Sequence, residues 1–72
     1  MLYTERLKNA REDFDLSQKE VAAEIGITQQ QYQLYESGKR LLPITKLIEL
    51  CKFYNLSSDY LLGLSDETKS FE

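Results

Sequence analysis

Apolar positions along this chain recur three and four apart in five short stretches separated by turn residues, the spacing of short amphipathic helices. In the first, roughly Thr4 to Phe14, Leu7, Ala10 and Phe14 share one face. Asp15 follows where the chain must turn, because Asp tolerates left-handed backbone better than most residues that carry a side chain. Leu16 then points back toward the core. Ser17-Gln18-Lys19-Glu20 opens the second stretch with capping-box spacing, in which hydroxyl and carboxylate each satisfy an orphan backbone N–H. Val21, Ala22 and Ile25 give that stretch a buried face, and Gly26 ends it where a positive φ is cheap.

Thr28-Gln29-Gln30-Gln31 repeats the capping box, and the third stretch runs to Ser37 before stopping at Gly38. Two capped helices joined through Gly26-Ile27 predict a helix-turn-helix, with Ala22 small enough for close crossing. Pro43 fixes φ for the start of a fourth helix, where Ile44, Leu47, Ile48, Cys51 and Tyr54 form one stripe widened by Leu50. Asn55-Leu56 breaks it, and Ser57 or Ser58 caps a short fifth helix carrying Tyr60, Leu61 and Leu62 before Gly63. The expected fold is all-α, a compact five-helix bundle over residues 1–64 in which helices two and three form the helix-turn-helix. Residues 65–72 are expected to be a short polar tail that frays.

Composition narrows the chemistry. A chain of 72 residues with 42% apolar and 29% charged content is an ordinary single globular domain. Its longest apolar run is three residues, so no segment spans a bilayer, and no basic stretch followed by an apolar one marks it for export. The single cysteine makes no internal disulfide and offers no metal ligand set, which fits a reducing, cytoplasmic setting. Histidine is absent, so the usual general base and the commonest metal ligand are both missing. No nucleophile–base pair or metal cluster assembles, and an enzyme, a metal site and a bound cofactor are not expected. Cys51 reads as a small packed residue.

The net charge of −3 argues at first against a polyanionic partner. Position changes the picture. Residues 59–72 carry −3, residues 1–58 sum to zero, and residues 28–46 carry +2 through Lys39, Arg40 and Lys46 against Glu36. At about 100° per residue the third helix divides into two faces, with Tyr32 and Tyr35 on one side. Gln30, Gln33, Leu34 and Ser37 lie opposite, with Gln29 at the edge. Glutamine bonds the N6 and N7 edge of adenine bidentately, an interaction worth ~1–3 kcal/mol of discrimination against a wrong base. The same face also reads as an ordinary solvated one, and Lys39-Arg40 as a solubilising loop.

From Arg6 to Gly63, about four-fifths of its length, the chain resembles the phage-repressor/Cro-type helix-turn-helix family of DNA-binding regulators. The segment LSQKEVAAEIGITQQQYQLYESGKR carries the core of the resemblance, and LPITKLIELCKFYNLSSDYLLG is similar to the family's fourth and fifth helices. The resemblance implies a lambda-repressor-like domain whose recognition helix, about residues 28–37, enters the major groove of double-stranded DNA. It implies base contacts from Gln29, Gln30, Gln33 and Leu34, the last at a position where the family also uses glutamine. It implies phosphate contacts from Ser17, Gln18, Thr28, Ser37, Lys39 and Arg40, and a structural ion pair between Arg11 and Glu36. Such proteins usually bind a palindromic operator as homodimers, with recognition helices about one DNA turn apart. The surface expected to pair is Ser58, Leu61 and Leu64.

The expected function is a sequence-specific transcriptional regulator, a repressor of phage or mobile-element type that occludes its operator. The competing reading is a protein-interaction module, such as the antitoxin of a toxin–antitoxin pair, hinted at by the acidic tail with Phe71. That the chain is a piece of a longer regulator also stays open.

Overall fold

The structure, a computed structural model, describes residues 2–68, so Met1 and residues 69–72, Phe71 among them, lie outside the described residues. Five helices follow one another: α1 (Leu2–Asp13), α2 (Gln18–Glu24), α3 (Gln29–Ser37), α4 (Ile44–Tyr54) and α5 (Ser58–Leu62). Both predicted capping boxes form. Ser17 Oγ accepts from the Glu20 N–H at 3.1 Å while the Glu20 carboxylate accepts from the Ser17 N–H at 2.9 Å. Thr28 and Gln31 repeat the exchange at 3.1 and 3.0 Å. Each cap is worth about 1 kcal/mol, a large share for helices too short to hold themselves.

Four of the five helices end alike. Asp15, Gly26, Asn55 and Gly63 adopt φ between 55° and 83°, and each is followed by an apolar residue whose N–H bonds back five positions. Those bonds run from Leu16 to Arg11, Ile27 to Ala22, Leu56 to Cys51 and Leu64 to Asp59. This is the Schellman arrangement, which satisfies orphan carbonyls and turns the next apolar side chain toward the helix. Leu16, Ile27 and Leu56 pack against the core accordingly. The end of α3 differs: Gly38 is left-handed, but Lys39 follows it, and the closing bond is Arg40 N–H to the Leu34 carbonyl. The chain leaves α3 with two cations outward instead of an apolar plug.

Leu7, Val21, Tyr32, Leu50 and Leu61 are fully enclosed, with Ala10, Ala22, Ile25, Leu47 and Tyr54 around them. α2 packs on α3, α1 on both α3 and α5, and α4 on α5. Burying each large side chain contributes roughly 1.5–3 kcal/mol, so the centre of this small bundle holds most of its stability.

Four expectations need correction. α1 starts at Leu2 and ends at Asp13, because Leu2 packs against Gly63 and Tyr3 against the core. Phe14 sits half exposed beyond α1, its ring edge-on to Tyr54 at 5.1 Å. The buried stripe of α4 is Leu47, Leu50 and Tyr54, with Cys51 at its margin. Ile44 and Ile48, about 60–100° further round the helix than Leu47, face outward at 66% and 48% exposure. Spacing marked an apolar sector wider than the one the bundle covers.

Leu61 is the third correction. It is fully buried in the core, so it cannot line a pairing surface, whereas Ser58 and Leu64 are exposed. The fourth concerns the tail, where residues 65–68 are tied down rather than frayed. Arg6 donates to the carbonyls of Tyr60 and Ser65 at 2.6 and 2.7 Å, meets Asp66 at 3.1 Å, and lies over the Tyr60 ring. Ser57 N–H donates to the Thr68 carbonyl at 2.7 Å, and its hydroxyl to the Glu67 carbonyl at 3.2 Å.

Candidate nucleic-acid interface

The third helix is built so that one side is immobilised and the other is free. Tyr32, Tyr35 and Glu36 are buried, while Gln29, Gln30 and Gln33 are exposed. Leu34, the apolar residue among them, is half-buried.

Glu36 is held by Arg11 of α1. Nε lies 3.0 Å from Oε2 and Nη2 3.0 Å from Oε1, a two-pronged carboxylate grip. The Arg11 Nη1 also donates to the Leu16 carbonyl at 2.8 Å, so one guanidinium joins α1, the turn before α2, and α3. With side-chain exposures of 14% and 5%, the pair is largely removed from water. The hydrogen bond to Glu36 raises the Arg11 pKa further, so this arginine stays charged at every accessible pH. The expected ion pair is present, and it neutralises a carboxylate on α3.

Next to it, the Tyr32 and Tyr54 hydroxyls are buried close to the Glu36 carboxylate. Burial pushes both phenols up, the Glu36 carboxylate adds to the effect, and Tyr54 reaches about 12. Tyr32 is fully enclosed on the inner side of α3 and has no route to a phosphate.

The expected phosphate contacts fall into three groups. Ser17 and Thr28 spend an acceptor lone pair on their caps, leaving the O–H of each available to an anion. Ser37 differs, since its hydroxyl already donates to the Leu34 carbonyl at 3.1 Å. Gln18 is half-buried, whereas Lys39 and Arg40 are exposed. Lys46 is not available as a free cation: its ammonium donates to the Ile25 carbonyl at 2.8 Å and meets Glu49 at 3.0 Å. The mildly basic middle of the sequence thus reduces at the surface to Lys39 and Arg40.

Among the described residues no group of three or more His, Cys, Asp or Glu side chains could hold a metal ion. No helix among the described residues is long and apolar enough to cross a membrane.

Comparison with known proteins agrees with this geometry. A family profile described as helix-turn-helix matches residues 7–61, from the middle of α1 into α5. The chain is 36% identical over 66 residues to the HTH-type transcriptional regulator YobD of Bacillus subtilis, covering 92% of this chain and 59% of YobD. It is 37% identical over 67 residues to the HTH-type transcriptional regulator ImmR of Bacillus subtilis, covering 93% of this chain and 53% of ImmR. It is 36% identical over 63 residues to the cryptic phage CTXphi transcriptional repressor RstR of Vibrio cholerae, covering 88% of this chain and 56% of RstR. The chain thus spans between half and two-thirds of the length of these curated relatives. With the profile spanning both helices of the motif, the chain belongs to the helix-turn-helix family, in which the relatives named here are transcriptional regulators.

Proposed function

We propose that this chain is a sequence-specific repressor of phage or mobile-element type, working in the cytoplasm and binding a palindromic operator as a homodimer. α3 enters the major groove, Gln29, Gln30, Gln33 and Leu34 meet base edges, and Ser17, Gln18, Thr28, Lys39 and Arg40 meet phosphates. Repression follows from occupying the operator. The observation that carries the reading is the division of α3 into an immobilised inner side and an outer side of neutral amides. Neutral amides at fixed positions suit base edges, which offer paired donors and acceptors. The relative RstR, named a phage transcriptional repressor, supports the regulatory class. Ser58 and Leu64 remain the pairing surface of choice, now without Leu61.

Selection from a random DNA pool by the purified protein at near-physiological salt tests it. Recovery of a palindrome with half-sites about one turn apart is the expected result. No enrichment by folded protein would overturn it and favour the protein-interaction reading.

A further inference from the structure

An apolar groove of about 220 Å³ lies where the starts of α1 and α4, the segment joining α3 to α4, and the end of α5 meet. Tyr3, Leu41, Leu42, Leu47 and Leu62 line it. Leu47 belongs to the buried core, and Tyr3 and Leu42 pack against it, so most of the lining is held in place. Leu41 is 74% exposed, and Ile44, one turn before Leu47 on α4, is 66% exposed. Leu2, next to Tyr3 and against Gly63, is exposed as well. Apolar surface thus continues past the groove, further than a small molecule filling it would cover. The rim at Leu41 is positive. Lys39 and Arg40 come immediately before it, both exposed, and their side chains form no hydrogen bond or ion pair among the described residues. α4 begins after Pro43 without a side-chain cap, which leaves the positive end of its dipole open at the same rim. The groove lining itself contains no carboxylate.

We propose that this groove docks an amphipathic helix of a protein partner, apolar on the side that meets Leu41, Ile44 and Leu62 and acidic on the flank that meets Lys39, Arg40 and the start of α4. An apolar groove takes up the apolar stripe of such a helix, and charge complementarity at the rim fixes its orientation. A second copy meeting this face through the same residues brings no carboxylate to the cations, so a partner of different sequence is the better match. Lys39 and Arg40 are also phosphate contacts in the DNA-binding reading above. On that reading, which this consequence rests on, partner and DNA exclude each other, and the acidic helix lifts repression by covering the two cations.

The test is selection, on the folded protein, from displayed helical segments with Leu fixed at i, i+3 and i+7 and the flanking positions randomised among Glu, Lys, Gln and Ser. The best binder is then synthesised and titrated against wild type, Leu41→Ser/Ile44→Ser and Arg40→Gln, with random-sequence duplex as competitor. Glu should be enriched over Lys at the flanking positions. Leu41→Ser/Ile44→Ser should weaken the peptide about tenfold or more. Thermal unfolding and DNA binding should stay nearly unchanged, because both side chains are exposed and neither is placed on DNA. Arg40→Gln should weaken the peptide about threefold at low salt and less at high salt. No enrichment overturns the docking surface, and enrichment of Lys or of neither charge overturns the acidic partner. Self-association of wild type that Leu41→Ser/Ile44→Ser abolishes gives the groove to a second copy and overturns the foreign partner. A peptide that binds without displacing duplex, from wild type that binds DNA, overturns the exclusion and leaves the DNA-binding reading intact. Wild type that binds the peptide but no duplex overturns that reading and the exclusion together, and upholds the groove.

Discussion

Arg11 and Glu36 lie 25 residues apart in sequence, yet meet through two hydrogen bonds of 3.0 Å that fix the inner side of α3 to α1. Removing one partner leaves the other charge in a largely dry site, which costs far more than the pair contributes net. Arg11→Ala should therefore destabilise the fold by about 3–5 kcal/mol in urea unfolding. Adding Glu36→Gln should restore part of that loss, since a neutral amide needs less compensation. A cost below about 1 kcal/mol for Arg11→Ala would place the pair effectively in solvent.

Base and backbone roles separate by sequence dependence. Gln30→Ala should cost ~1–3 kcal/mol on the selected operator and nearly nothing on random duplex. Arg40→Ala should weaken both equally and flatten the salt slope by roughly one unit. Equal loss on both duplexes for Gln30→Ala would remove it from base reading.

The buried phenols set an alkaline limit on the fold. A tyrosine whose folded pKa is raised binds its proton more tightly in the native state. The stabilisation is full below the ordinary phenol value of 10.0 and is lost as pH rises through the raised folded value. Stability should fall from about pH 10 upward, toward the folded value of about 12 for Tyr54. Tyrosinate absorbance should show Tyr32 and Tyr54 ionising later than the other tyrosines, or together with unfolding. Tyr32→Phe and Tyr54→Phe should each reduce the alkaline loss. Ionisation of all tyrosines near the ordinary phenol value, with the fold intact, would show that these hydroxyls are reached by water.

Two left-handed glycines should respond differently to a methyl group. Gly26 has open space around its position, so Gly26→Ala carries only the backbone penalty of about 1–2 kcal/mol. At Gly63 an added Cβ would lie 2.7 Å from Leu2 Cδ2, so Gly63→Ala should cost more and also loosen the start of α1. Thermal denaturation and amide exchange at α1 check both. Equal costs would mean that Leu2 swings aside freely.

The elements legible in the sequence are those fixed by neighbours along the chain. Ser17 with Glu20, Thr28 with Gln31, and the glycines or Asp and Asn at helix ends act within a few residues, and their spacing is visible directly. The outward glutamines of α3 were legible because they follow from where Tyr32 and Tyr35 must go. What spacing missed depends on partners far away. Arg6 finds Tyr60, Ser65 and Asp66 more than fifty positions on, and this turns an expected loose tail into a tied one. Leu61 and Ile44 exchanged expected roles because only the packed bundle decides which apolar side chain ends inside.

The exceptional exit from α3 has a consequence for how such a protein can change. Where α1, α2 and α4 lock an apolar residue behind their last turn, α3 releases Lys39 and Arg40 outward, and its outer glutamines are free of the interior. The bundle and the reading surface are thus nearly independent modules. Replacing Gln29 and Gln30 should change sequence preference at little expense to folding, so a new specificity can arise by drift on an unchanged scaffold.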